Sequence, residues 1–254
     1  MKTYFGCGDY LGDKQYKAKE ADKGVRTDAG YDKERFANNV MDIANNAAPQ
    51  IVLSYNPSKL RGDIWLKEHF GCGKPITDIA NKMTYNEEMI IKTPHEWSVI
   101  WVENVGEKRG TSNEEEIKQI RDYLLRELNE LRKRVGASPE LDNADFCEKH
   151  IGIITPFAEQ GRKIKDEFES DKRLSHIKIG TVHTFQGSER DIIVFSTVYG
   201  KNAGYPKKFF FNRGETDLLN VAVTWAKKVL IILGNKNLLG QNGCHSKYLC
   251  DAVK

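Results

Sequence analysis

The stretch from Ile177 to Gly234 constrains the fold most strongly, because short apolar segments alternate there with compact polar turns. Apolar segments cover Ile177 to Val182, Asp191 to Val198 and Val229 to Leu233. Strands that are apolar along their whole length are typical of parallel sheets covered on both faces. Ligands of such sheets bind at the carboxyl ends of the strands, so we expect function first at the turn from Gln186 to Glu189.

The rest of the chain predicts an alternation of helices and strands. The apolar spacing predicts helices over about 31–47, 76–83, 114–135, 158–168 and 218–228, and strands over about 50–54, 98–105 and 151–154. Gly136 to Asp145 reads as a loop. The long helix begins after Asn113, carries Glu114, Glu115 and Glu116 in its first turn, and has an apolar stripe that indicates a core-facing crossover helix. A partner-binding helix is the alternative. This order of elements predicts an α/β fold with a mostly parallel sheet.

Composition excludes several classes of protein. The five cysteines are scattered without a Cys-x-x-Cys pair, which argues against a zinc site or a disulfide framework and favours reduced thiols in a cytoplasm. The apolar runs are too short to span a bilayer, and the first residues lack the apolar core of a secretory signal. The net charge of +3 permits a phosphate-rich partner without requiring one.

The sequence contains no phosphate loop. Gly73-Lys74 has no glycine five residues before it, and Pro75 stands where a Ser or Thr would bind magnesium. There is also no apolar strand that ends in an acidic pair able to hold Mg²⁺. We therefore expect no metal site.

Several spaced motifs resemble the second RecA-like domain of superfamily-one DNA/RNA helicases. They are Thr155-Pro156-Phe157-x-x-Gln160, the run from Gly180 to Glu189, and the run from Leu219 to Lys228. The segment from Glu68 to Cys72, followed by Ile76 and Tyr85-Asn86, looks like the one by which the chain enters that domain. Gly12-Asp13-Lys14-Gln15 resembles the motif that closes the first RecA-like domain.

The resemblance implies a RecA-like three-layer α/β/α fold. Residues 1–50 would be the end of a first RecA-like domain with its linker, 51–90 the segment leading into the second domain, and 91–254 the second domain itself. In that family, ATP and Mg²⁺ lie between two RecA-like domains, and single-stranded nucleic acid runs across their top. The expected partners are thus single-stranded nucleic acid, with DNA favoured over RNA, and a first RecA-like domain in cis or trans, with no membrane. This chain alone is not expected to hold ATP or Mg²⁺ tightly.

The resemblance also assigns roles to individual positions. Those implied to contact the nucleotide are Phe70 at the adenine, Gln15 at the terminal phosphate, and Gly187 and Glu189 at the sugar and phosphates. Those implied to contact the nucleic-acid backbone are Thr155, Pro156, Thr181 and His183. Hydroxyls, an imidazole and helix N-termini suit phosphate oxygens, which position a strand without reading its sequence. The residues also allow plainer interpretations: Phe70 as a buried core aromatic, His183 as a core histidine and Thr181 as an ordinary strand residue.

Three departures from the family pattern bear on activity. Nearly all of the first RecA-like domain is missing, including the phosphate loop and the acidic magnesium pair. Trp225 and Gly71 stand where the family has arginines, and neither offers a charged fork to phosphate. Trp225 could be an aromatic without a role, or it could occlude the nucleotide cleft or pack on a base.

Two functions therefore compete. The first is the C-terminal motor domain of an ATP-dependent helicase or translocase, not catalytic on its own. The alternative is a non-catalytic module that binds nucleic acid or a protein. A nuclease has little support, because no cluster of acidic residues with a neighbouring lysine has metal-site spacing in a strand.

Overall fold

The computed structural model describes residues 68–85, 87–93, 98–104, 106–182, 184–185, 188–204 and 216–253. The helix predicted over 31–47 and the strand predicted over 50–54 lie outside these residues. So do three candidate site residues, Gln15, His183 and Gly187.

Seven strands form two parallel sheets in the described part of the chain. A small sheet pairs β1 (Glu68–His69) with β2 (Ile90–Ile91). The central sheet contains β3 (Ser98–Glu103), β4 (Ile151–Thr155), β5 (Lys178–Thr181), β6 (Arg190–Ser196) and β7 (Ala226–Gly234). Its strand order is β3-β7-β6-β4-β5, and every neighbouring pair is parallel. The parallel α/β architecture predicted from the sequence is confirmed.

Seven helices accompany these strands in the described residues. They are α1 (Ile76–Thr84), α2 (Glu114–Val135), α3 (Asn143–His150), α4 (Ala158–Phe168), α5 (Thr216–Thr224), α6 (Lys236–Leu239) and α7 (Lys247–Asp251). The predictions for α1, α2 and α4 are confirmed to within a residue. The Asn113 side chain accepts a hydrogen bond from Glu116 N and so caps α2 as expected.

Two sequence predictions are wrong. The loop predicted over 136–145 contains the start of α3, because the Asp142 carboxylate accepts hydrogen bonds from the Ala144 and Asp145 amides and caps that helix. The helix predicted over 218–228 ends at Thr224, and β7 begins at Ala226. Packing decides this second boundary, because Ala226 and the residues from Val229 onward are buried in the sheet.

The central sheet is buried on both faces. In β7, Leu230 and Ile232 belong to one apolar cluster with residues of α1 and α5. Val229 and Ile231 belong to a second cluster with residues of α2, α3 and α4. Alternate side chains of a strand point to opposite faces, so helices cover the sheet on both sides. This is the three-layer α/β/α arrangement. The stripe of α2 faces the second cluster, which confirms it as a core helix; its members are Ile117, Ile120, Leu124, Leu128, Leu131 and Val135.

Candidate functional site at two edges of the sheet

The candidate site residues lie at opposite edges of the central sheet. Thr155 and Thr181 end β4 and β5, whereas Glu189 and Trp225 immediately precede β6 and β7. All five strands run in one direction, so the first pair lies at the carboxyl edge and the second at the amino edge. Seven residues of β6 separate the edges by about 20 Å. The expectation that the turn ending at Glu189 lies at the carboxyl edge is therefore wrong, because this connection returns across the sheet.

The connection from β5 to β6 is anchored to the sheet by Phe185. This side chain is fully buried, and a Cβ atom on Gly152 of β4 would overlap its ring. The absence of a side chain at Gly152 lets the ring lie directly on the strand. The Lys178 ammonium lies 5.1 Å from the centroid of the same ring. The connection is thus packed against the core along the face that also carries α1 and α5.

The turn from His69 to Cys72, which contains Phe70, lies at the amino edge, because the Cys72 thiol donates a hydrogen bond to the Thr224 carbonyl just before β7, at 3.5 Å. The Phe70 side chain is 70% exposed, so the interpretation of this residue as a core aromatic is wrong. Its neighbour His69 accepts a hydrogen bond at Nε2 from the Cys72 amide, at 2.9 Å. Burial lowers the pKa of His69, and the negative charge of Glu189 opposes that shift, which places Glu189 near this turn. Glu189 also forms an exposed ion pair with Lys227, at 3.1 Å.

Trp225 is a core residue at the same edge. It is 8% exposed, and its ring centroid lies 5.5 Å from that of Phe185. Its carbonyl accepts a hydrogen bond from the Arg190 amide, at 3.1 Å. A ring packed in this way has no free face for a base, so the structure favours a packing role. Gly71, the other position where the family has an arginine, is exposed, and a Cβ there would lie 3.2 Å from the His69 ring.

At the carboxyl edge, Thr155 and Thr181 are direct partners in the register of β4 and β5. Thr155 is fully buried, and its hydroxyl accepts a hydrogen bond from the Phe157 amide, at 3.4 Å. The Thr155 side chain is therefore not presented to a ligand, contrary to expectation. It instead stabilises the connection between β4 and α4. Pro156 and Thr181 are only half-buried, so they remain accessible at this edge.

A buried carboxylate joins the elements that end at the carboxyl edge. Glu116 in α2 is fully buried, although the sequence suggested only a favourable contact with the helix dipole. Its carboxylate accepts hydrogen bonds from Asn104 Nδ2, from the Ser196 hydroxyl at 2.5 Å and from the Val198 amide at 3.0 Å. Burial nevertheless raises the pKa of Glu116 to about 7, because the three donors only partly offset the loss of water. The i, i+4 spacing of Glu116 with Ile120 and Leu124 is the sequence signal that could have revealed this burial.

This network extends to α4 and to a strained residue. Gln160 Nε2 donates to the Ser196 hydroxyl at 3.0 Å, and Gln160 Oε1 accepts from the Asn113 amide at 2.9 Å. Val198 has a φ of 69°, a left-handed conformation that is rare for a β-branched residue. Its amide is held by Glu116, so the network fixes the chain just after β6.

Hydrogen bonds from the Asn202 side chain and between backbone groups join two loops at the carboxyl edge. The Lys108 amide donates to Asn202 Oδ1 at 2.7 Å, and Asn202 Nδ2 donates back to the Lys108 carbonyl at 3.2 Å. The Lys201 amide donates to the Gly106 carbonyl at 2.9 Å, and a Cβ on Gly200 would overlap that carbonyl oxygen. None of these residues belongs to a sequence motif described above, because only the fold brings them together.

Some other kinds of site are not found in the described part of the chain. No three His, Cys, Asp or Glu side chains there are grouped so that they could hold a metal ion. The four described cysteines are free and buried; they are Cys72, Cys147, Cys244 and Cys250. Across the same residues, every helix is too short or too polar to cross a lipid bilayer.

Comparisons with known proteins point to one family. Residues 61–237 match AAA_12, a family described as an AAA domain. The chain is 28% identical over 204 residues to the uncharacterised ATP-dependent helicase MJ0104 of Methanocaldococcus jannaschii, covering 72% of this chain and 28% of that protein. It is 27% identical over 188 residues to the DNA polymerase alpha-associated DNA helicase A of Saccharomyces cerevisiae, covering 70% of this chain and 26% of that protein. It is 38% identical over 109 residues to the RNA helicase Mov10l1 of Mus musculus, covering 42% of this chain and 9% of that protein. The chain thus spans less than a third of each of these relatives.

Proposed function

The chain belongs to the AAA_12 family of AAA domains and is a RecA-like domain of the superfamily-one helicase type. We propose that it is the second motor domain of an ATP-dependent helicase or translocase. Its work in the whole enzyme is to complete an ATP cleft and to hold single-stranded nucleic acid. Residues 1–50 are proposed as the end of a first RecA-like domain with its linker, and 51–90 as the segment leading into the second domain, which spans 91–254.

The observation that carries this proposal is the separation of the candidate residues onto two edges of one sheet. Phe70 and Glu189 at the amino edge are the candidates for ATP, and Pro156 and Thr181 at the carboxyl edge are the candidates for nucleic acid. A domain that couples hydrolysis to movement along a strand needs two such sites joined by a stiff element. The buried parallel sheet supplies that element.

The amino edge is suited to a nucleotide base and sugar but not to phosphoryl transfer. An exposed phenylalanine offers a flat apolar surface to adenine, and Glu189 offers a carboxylate acceptor to ribose hydroxyls. Gly71 and the buried Trp225 provide no cation for a γ-phosphate. The charges that stabilise the transition state, together with Mg²⁺, must then come from a first RecA-like domain in cis or trans.

The alternative function is a non-catalytic module derived from a helicase, and the absence of arginine at positions 71 and 225 favours it. The two proposals differ in whether a first RecA-like domain completes the cleft. Sequencing the DNA upstream of Met1 distinguishes them. A phosphate loop in frame supports the motor domain, and a stop codon supports the binding module.

Binding and hydrolysis assays on the purified chain test the proposal. Fluorescence anisotropy with labelled 20-nucleotide oligo-dT and oligo-U is expected to detect binding that weakens as NaCl rises, with DNA bound more tightly than RNA. Phosphate release from ATP is expected to stay at background with or without the oligonucleotides. A flat titration at low salt contradicts the nucleic-acid role. Hydrolysis stimulated by DNA contradicts the dependence on a first domain.

A further inference from the structure

We propose that Lys108 is a further contact for the phosphate backbone of single-stranded nucleic acid, held ready for that contact by two aromatic rings. This inference rests on the proposed function and extends its carboxyl-edge site. Lys108 belongs to the loop between β3 and α2, outside every motif that suggested the family.

The Lys108 ammonium is positioned without being neutralised. Its Nζ atom lies 5.6 Å from the ring centroid of Phe157 and 5.5 Å from that of Tyr199, and the two centroids are 6.4 Å apart. Aromatic faces attract a cation without carrying a negative charge of their own. Within the described residues, no carboxylate forms an ion pair with Lys108, unlike Arg162, Lys163 and Arg173, each of which is paired with a carboxylate. The positive charge therefore stays available to an anion.

The backbone of Lys108 is held as well. Its amide and carbonyl both bond to the Asn202 side chain, and the neighbouring Gly106 carbonyl accepts from the Lys201 amide. A side chain whose position is already restricted loses less conformational entropy when it binds a ligand. This preorganisation favours a specific contact over a mobile surface charge.

Lys108 lies beside the path proposed for single-stranded nucleic acid. Phe157 follows Pro156 directly, and Tyr199 lies just beyond the end of β6. β5, which ends at Thr181, is separated from β6 by β4 alone, a distance of about 10 Å across the sheet. Arg109 and Lys201 beside Lys108 are exposed cations, and Glu107 is an exposed anion in the same loop. Single-stranded nucleic acid that crosses the ends of β5 and β4 would therefore next lie beside these lysine and arginine side chains.

Phosphate is the group that this arrangement recognises. The ring surfaces nearest to the ammonium are occupied by Lys108 itself, which disfavours stacking of a base there. An ammonium is a point charge whose three donors suit phosphate oxygens. The contact is accordingly expected to act on DNA and RNA alike, without sequence preference.

Salt-dependent binding of the full chain to labelled 20-nucleotide oligo-dT tests this contact. Lys108→Gln is expected to weaken binding about threefold to tenfold at low salt, and to reduce the slope of log K against log [NaCl] by about 0.7. Lys108→Arg is expected to restore most of the affinity and the slope, because it keeps the charge and stacks on aromatic rings. Lys172→Gln, an exposed lysine in the turn between α4 and β5, is the matched control and should bind like wild type.

The outcomes separate the two proposals. If wild type binds and Lys108→Gln has the same affinity and slope, the Lys108 contact is overturned and the proposed function stands. If Lys108→Arg binds as weakly as Lys108→Gln, the contact is not one of charge and the inference is also overturned. If wild type does not bind, the nucleic-acid role in the proposed function is overturned, and the Lys108 contact is overturned with it. A thermal unfolding curve for each variant confirms that the fold is intact.

Discussion

At the scale of single residues, Trp225 is the clearest example of a position whose role depends on burial. Its indole ring packs on Phe185, which itself lies on Gly152 of the central sheet. This stack connects the start of β7 to the connection that carries Glu189. At this position, where the resemblance implies an arginine, the tryptophan contributes apolar packing.

Truncating Trp225 is therefore expected to destabilise the fold. Trp225→Ala removes a buried aromatic ring and should lower the free energy of unfolding by about 3–5 kcal/mol, whereas Trp225→Phe should cost about 1–2 kcal/mol. Phe70→Ala is the matched control, because that ring is exposed, and its cost should stay within about 0.5 kcal/mol. Urea unfolding measures all three. Equal costs for the alanine variants at positions 70 and 225 would contradict the packing role.

At the scale of secondary-structure elements, the Glu116 carboxylate connects four of them. It belongs to α2 and binds Asn104 beyond β3 and Ser196 at the end of β6, while Gln160 of α4 binds Ser196 in turn. These contacts lie beneath the loops that carry Lys108 and Asn202. The geometry of the carboxyl edge thus depends on a carboxylate that is fully buried.

The raised pKa of Glu116 makes stability depend on pH. The folded pKa is about 7 and the ordinary value is 4.5, so the folded chain binds a proton more tightly than the unfolded chain between these values. The stabilisation is complete below about pH 4.5 and is lost as pH rises through 7. As the pH rises from 5 to 8, the free energy of unfolding of wild type should therefore fall relative to that of Glu116→Gln, by up to about 3 kcal/mol.

Urea unfolding of both proteins across this range measures the effect. Titratable groups other than Glu116 are present in both proteins, so their contributions cancel in the difference. A difference that stays constant with pH would mean that Glu116 is ionised throughout, stabilised by its three donors. A difference that grows with pH would contradict the sign of the shift.

At the scale of the whole molecule, the proposed function gives this chain only half of a nucleotide site. Phe70 and Glu189 are the residues proposed for the base and the sugar, but the sequence has no phosphate loop and no acidic pair to hold the β- and γ-phosphates and Mg²⁺. Most of the charge of ATP would remain in water. An exposed aromatic ring alone supplies little binding energy.

The chain by itself is accordingly expected to bind ATP·Mg²⁺ with a Kd weaker than about 1 mM, equivalent to about 4 kcal/mol of binding free energy. Isothermal titration calorimetry measures this affinity, and AMP serves as a control for contacts to the base and sugar alone. We expect ATP and AMP to bind with similar, weak affinity. Micromolar binding of ATP with much weaker binding of AMP would contradict the proposal, because it would reveal a phosphate site within this chain.

Much of the architecture could be predicted from local patterns. The bounds of α2 follow from the Asn113 cap and the apolar stripe, and the buried strands follow from their continuous apolar runs. The start of α3 and the end of α5 were predicted wrongly. A single capping side chain decides the first, and burial of Ala226 in the sheet decides the second. Neither effect has a strong signal in a short window of sequence.

The sequence by itself determined the fold class, the family resemblance and the departures at Gly71 and Trp225, because these depend on periodicity and on residue types at fixed spacing. Only the tertiary structure decided which candidates are accessible. It exposed Phe70, buried Thr155 and Trp225, and brought Lys108 onto the rings of Phe157 and Tyr199. The physical reason is that exposure and charge depend on neighbours far away along the chain. Which strands lie side by side, and in which direction, therefore decides what each edge of the sheet can bind.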